Sequence, residues 1–147
     1  MPWLTLTASD LASYLVAEQL DALRSEALAV GQADPFDAIS ADVIRKVRSY
    51  IASNPLNQVD SAELTIPPEL KLDVCTLIIA PMLGRLRLAL TTDQQKQLDL
   101  AHSTLIALRE KQLVVSKPDN PVAPAVQRPG SAQIVHPGRH SPDLRGL

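Results

Sequence analysis

Pro67-Pro68-Glu69-Leu70-Lys71-Leu72-Asp73-Val74-Cys75-Thr76-Leu77-Ile78-Ile79-Ala80-Pro81-Met82-Leu83-Gly84-Arg85-Leu86-Arg87-Leu88-Ala89-Leu90 is the stretch on which the fold turns. The proline pair suits the first turn of a helix, where backbone N–H groups have no helical partner. From Val74 to Leu83 the chain is apolar nearly all round, which marks a buried helix. The unbroken run is about half the length of roughly 20 residues that a membrane span needs. Asp73, Arg85 and Arg87 bracket it. Residues 67–90 therefore read as a central rod on which other helices pack, with no membrane involved. Pro81 cannot donate to the Leu77 carbonyl, so a kink or break is expected near Ala80, with Gly84 adding to the weakness.

Helical patterns flank the rod on both sides. Upstream, Thr7-Ala8-Ser9-Asp10 fits a helix start, and Asp10 favours the positive end of the dipole. The spacing of Leu11, Leu15, Val16, Leu20, Leu23 and Leu28 predicts one short helix over 8–16 and a second over 17–29, closed by Gly31. Residues 31–37 read as a loop with Asp37 as N-cap of the next helix, over 38–53. Ile39, Val43, Ile44, Val47, Tyr50 and Ile51 form its apolar face. Arg45, Lys46 and Arg48 fall mostly on the opposite face and read as solvated; contact with nucleic acid is the sharper alternative. Residues 54–66 are a polar connection, with a short extended piece near Leu64-Thr65-Ile66 that is too short to carry a sheet alone. Downstream, Thr92 and Gln95 fit a capping box. They open a helix reaching Gln112, with a narrow apolar seam of Leu98, Ala101, Leu105 and Leu108 turned to the rod.

The expected fold is thus all-α: a small bundle of about five helices around the buried helix 67–90. Aromatic residues make up only 3% of the chain, so Leu, Ile, Val and Ala must build the core, which suits helix-on-helix packing. At 147 residues this is one domain with an appendage. Residues 1–113 form the helical domain, and residues 114–147 read as an extended arm. The arm holds six of the twelve prolines and three of the five glycines, a composition that does not pack by itself. It carries Lys117, Arg128, Arg139 and Arg145 against Asp119 and Asp143, while the rest of the chain is acidic.

No constellation in the sequence announces chemistry. A glycine-rich phosphate loop, a cysteine pair and a His-Glu-x-x-His motif are all missing. His136 and His140 are four apart, but Pro137 and Gly138 between them oppose the helix that a shared metal would need. Cys75 lies in the apolar run, where a thiol is inert, so a pairing with His102 is set aside. Glu18 with Glu26, and Asp93 with Asp99, have no spacing that demands a carboxylate pair. The expectation is a non-enzyme with no cofactor and no metal. A single cysteine excludes an internal disulfide and points to a reducing compartment. The start Met1-Pro2-Trp3-Leu4 lacks a secretory pattern. A net charge of −2 argues against bulk coating of nucleic acid.

The order of the pieces resembles a known family. Leu6-Thr7-Ala8-Ser9-Asp10-Leu11 opens the first helix. Asp37-Ala38-Ile39 with Ala41, then Arg45 through Ile51, build the third. Ile66-Pro67-Pro68-Glu69-Leu70-Lys71 leads into a buried helix that ends Leu83-Gly84-Arg85-Leu86, and Leu98 and Ala101 mark the last helix. Taken together, residues 4–113 resemble the head–tail adaptor, or head-completion, proteins of long-tailed phages, especially the Mu-like group. The resemblance implies an all-α virion subunit at the head–tail junction, assembled in the host cytoplasm. Its copies, about twelve, would form a ring under the portal protein, extend the DNA channel and dock a tail-terminator or neck protein. Genomic DNA would pass without sequence-specific binding. The proline-rich arm departs from the family pattern. Argument from composition gives it, and the lone large apolar residue Trp3, a partner-facing role, with Lys117, Arg128, Arg139 and Arg145 meeting acidic groups. The rival reading is a small helical DNA-binding or packaging-associated protein, with Arg45, Lys46, Arg48, Arg85 and Arg87 as contacts. Other rivals are a different helical virion or scaffold component and a Cys75-dependent enzyme.

Overall fold

A computed structural model describes residues 2–27 and 35–123. Within them the chain is mostly helical: α1 (Ala8–Ala12), α2 (Ala17–Ala27), α3 (Pro35–Ala52), α4 (Lys71–Arg85) and α5 (Thr92–Arg109). A two-stranded antiparallel sheet joins β1 (Leu4–Thr5) to β2 (Thr65–Ile66), pairing Leu4 with Ile66 and Thr5 with Thr65. The all-α expectation missed this sheet. The extended piece at Thr65-Ile66 is too short alone, but the N-terminal residues give it a partner.

The central stretch divides in two. Pro68–Leu70 form a 3-10 turn that feeds α4. Val74, Cys75, Ile78, Ile79, Met82 and Leu83 of α4 are buried. The helix packs against α3, α5 and α1. Pro81 does not break it: α4 runs on to Arg85. Pro81 is exposed, so water can satisfy the carbonyl that its missing N–H leaves free. The seam on α5 is as expected, with Ala101, Leu105 and Leu108 buried.

Several helix ends differ from expectation. The first helix stops at Ala12 rather than at 16. The third begins at Pro35, so Asp37 lies in its first turn instead of capping it. Gly31, expected to close α2, lies outside the described residues. The capping box of α5 is formed by Thr91 and Gln94, one residue earlier than Thr92 and Gln95. Gln94 also exchanges hydrogen bonds with the buried Gln19 (3.0 and 2.7 Å), which ties the start of α2 to the start of α5.

Helices α4 and α5 both end sooner than the apolar pattern suggests, and by the same device. In α4, Leu88 N–H donates to the Leu83 carbonyl and Arg87 N–H to that of Gly84. In α5, Gln112 N–H donates to Ala107 and Lys111 N–H to Leu108. This is the Schellman arrangement, which needs a left-handed residue just past the helix. Arg87 (φ 56°) and Lys111 (φ 64°) supply it, where glycine is the ordinary choice. Arg87→Gly and Lys111→Gly are each expected to raise the unfolding free energy by about 0.5–1 kcal/mol. Denaturant midpoints at unchanged slope would report it; a lowered midpoint would refute it.

The N-terminus is held by a polar cluster. Asp10 accepts from the Thr7 backbone N–H (2.8 Å) and meets Lys71 Nζ at 2.8 Å. The hydrogen bond from Lys71 and that from Thr7 hold its carboxyl down at about 2. Because the folded value lies below the ordinary one, this stabilisation is complete above about pH 4 and fades as pH falls toward 2.

Candidate interaction surfaces

Cys75 and His102 are the reactive side chains singled out by the sequence among the described residues. Cys75 is fully buried, and burial pushes its thiol up to about 11, so the thiolate does not form near neutral pH. His102 is exposed on α5. Among the described residues no group of three or more His, Cys, Asp or Glu side chains is placed to hold a metal ion. His136 and His140 lie outside them. No helix among them is long and apolar enough to cross a membrane.

Two candidate contact residues have turned inward. Trp3, expected to anchor to a neighbour, is only 6% exposed and belongs to this chain's own core. Its indole N–H donates to the Ser116 carbonyl (3.0 Å). Arg48, expected on a solvated and possibly DNA-facing side, sits with its guanidinium 5.4 Å from the Trp3 ring centroid. Its Nη1 donates to the Thr65 carbonyl (2.8 Å) and hydroxyl (3.2 Å), and its Nη2 to the Asp60 carbonyl (2.6 Å). Three of its five N–H donors are thus committed to this chain's own fold. The physical cause is the sheet and the loop before it: β2 places the Thr65 carbonyl beside α3, the loop places that of Asp60, and a planar fork matches both.

The start of the arm is also drawn in. The expected boundary at 113/114 does not separate packed from unpacked chain. Val115 is buried, and its N–H donates to Asn57 Oδ1 (3.0 Å). Ser116 N–H and hydroxyl both donate to the Glu69 carboxylate. Further on, Ser61 N–H donates to the Asn120 carbonyl and Val122 N–H to that of Val59. Residues 113–122 thus form a strap over the 54–70 connection. Lys117 lies on this strap and is exposed. Arg128, Arg139 and Arg145 lie outside the described residues.

Four basic candidates remain on the surface. Arg45 is exposed, 3.8 Å from Asp42 one turn earlier. Arg85 and Arg87 are exposed at the end of α4. Lys46 is exposed, and it opens onto a groove that the sequence reading did not single out. Two adjoining cavities, of about 210 and 270 Å³, run between α3 and α5 and share Lys46, His102 and Leu105. Val43 and Tyr50 of α3 and Ile106 and Arg109 of α5 line them, with Leu77, Ala80 and Pro81 of α4 below. The charged lining is basic throughout. A signal for it exists in the sequence: His102, Ile106 and Arg109 are spaced four and three apart, so they share one stripe of α5.

A second groove lies on the other side of α5. Tyr14, Leu72, Thr76, Ile79, Leu90 and Leu98 enclose about 170 Å³ together with Gln94, Gln97 and Asp93, its only charged residue. Next to it Asp73 is half-buried, and burial pushes its carboxyl up against the opposing hydrogen bond from Thr104. A third, apolar cavity of about 290 Å³ is lined by Leu11, Leu15, Leu23, Phe36 and Met82.

Comparison with protein-family models, curated proteins and solved structures finds no match to this chain.

Proposed function

We propose that this chain is a structural virion protein, a head–tail adaptor that closes into a ring of about twelve copies between portal and tail. Its five helices form a small bundle around α4. The ring extends the DNA channel, and one of its ends receives a tail-terminator or neck protein. Genomic DNA passes through without being gripped, because a slightly acidic wall does not neutralise phosphates.

What supports this reading is where the quoted motifs fall. Thr7 and Asp10 open α1. Pro67 to Lys71 carry the chain from the sheet into α4. Leu83 to Leu86 close α4 through the Schellman turn. Leu98 and Ala101 start the seam of α5. Each motif therefore serves a joint of the fold. The inert Cys75 thiol fits a building block better than a cysteine-dependent enzyme. The rival DNA-binding reading loses Arg48, and Arg45 is offset by Asp42.

The role left to the arm falls on residues 124–147, with Arg128, Arg139 and Arg145 pairing with acidic groups on the portal or a neighbouring copy. The strap 113–122 serves the subunit's own fold, so an informative truncation ends at Ala123. Heads made without the protein are expected not to join tails, and to regain joining when the purified full chain is added. The chain truncated after Ala123 should keep its melting temperature and fail to restore joining. Heads that join tails in the absence of the protein would refute the assignment. Full restoration by the truncated chain would remove the arm from it.

A further inference from the structure

We infer that the two flanks of α5 are the two halves of one head-to-tail interface, so that the basic α3/α5 groove of one copy receives the acidic α4/α5 flank of the next. This rests on the ring reading and adds to it the identity of the touching surfaces.

At 3.6 residues per turn, the inward seam of α5 (Leu98 with the buried Ala101, Leu105 and Leu108) occupies one side. Asp93, Gln97 and Leu100 fall about 90° to one side of it, and His102, Ile106 and Arg109 about 90° to the other. The two flanking stripes thus point in roughly opposite directions. Each borders a groove. Each also exposes large apolar side chains: Leu100 (57%) and Leu72 (41%) on one flank, Ile106 (48%) on the other. Single exposed leucines need no explanation, but apolar groups beside grooves on both flanks mark surfaces suited to burial.

Charge decides what covers them. The α3/α5 groove is lined by Lys46, Arg109 and His102 with no carboxylate. The α4/α5 groove is lined by Asp93 with no cation. Neither surface complements itself, so a two-fold dimer through either one would oppose like charges. The two complement each other. A head-to-tail contact needs two different matching patches on one subunit, and repeating it closes a ring. The basic 124–147 segment fits the basic groove poorly, which leaves a second copy as the matching occupant.

The test uses the full chain and two charge-reversed variants. One carries Lys46→Glu with Arg109→Glu, so that both its flanks are acidic. The other carries Asp93→Lys, which turns its acidic flank basic. All three residues are exposed, so circular dichroism should show both variants folded, with melting lowered by only a few degrees because Asp93→Lys and Arg109→Glu oppose the dipole of α5. Light scattering after size exclusion, with negative-stain images, reads the assembly. The native chain is expected to form rings. Each variant alone should need at least about a hundredfold higher concentration to do so, since opposed like charges cost several kcal/mol. An equimolar mixture should recover rings, because copies alternate with opposite flanks in contact. If both folded variants assemble like the native chain, or if mixing restores nothing, this interface is wrong while the ring reading stands. If the native chain stays monomeric at every concentration, both fall.

Discussion

Replacing Trp3 by alanine is expected to lower the unfolding free energy by about 3–5 kcal/mol, the range for deleting a large buried aromatic side chain. Domains of this size are stable by about 5–15 kcal/mol, so the variant sits near the edge of folding. The ring is nearly fully buried and is the point where three remote segments meet. The Ser116 carbonyl of the strap takes its N–H, Arg48 of α3 lies against its face, and Leu4 beside it pairs with Ile66 of β2. Removing the ring leaves a void and frees the strap from one of its attachments. Urea unfolding followed by far-ultraviolet circular dichroism measures the loss. A change below about 1 kcal/mol would mean that Trp3 is not part of the core.

Arg48→Leu should cost about 2–4 kcal/mol, although it swaps a cation for an apolar residue of helical preference. The reason is the partners left behind. Thr65 and Asp60 are buried, and their carbonyls accept from this guanidinium. Each orphaned acceptor costs about 1–3 kcal/mol, offset in part by the greater ease of burying leucine. Arg48→Lys is expected to recover less than half of the loss, because one ammonium does not span two carbonyls. The Trp3→Ala and Arg48→Leu losses should combine to less than their sum, since they dismantle one contact. A lysine variant as stable as the native chain would show that charge, rather than the fork, matters here.

These two residues also mark where reading the sequence stopped working. Helices α3 and α5 are legible because apolar residues recur at three and four, and α4 because its run from Val74 to Leu83 is apolar nearly all round. In sequence Trp3 reads as a surface anchor, because its hydrogen-bond partner lies 113 residues away. Arg48 was grouped with Arg45 and Lys46 by proximity along the chain, yet the sheet that claims it joins residues 4–5 to 65–66. The strap failed for a similar reason: Val115 and Pro118 are buried against the body, although the proline-rich segment has no core of its own. The ends of α4 and α5 were placed too late because the left-handed positions hold Arg87 and Lys111, and neither announces a stop as glycine would. For the start of α5, Thr91-x-x-Gln94 and Thr92-x-x-Gln95 are equally good boxes. Only the contact of Gln94 with Gln19 selects the first.

The interaction surfaces were half legible. The spacing of His102, Ile106 and Arg109 is plain in the sequence, but its meaning depends on Lys46 and Tyr50 arriving from α3. The acidic flank depends likewise on Tyr14 and Leu72 meeting α5. A groove is a property of two elements, and periodicity describes one at a time.

The most direct measurement is electron microscopy of assembled particles carrying a gold or density label on this chain, together with images of the purified protein. The account predicts a ring with a central hole and about a dozen labels collected where capsid meets tail. A label distributed elsewhere on the particle, or none on it, would contradict the account.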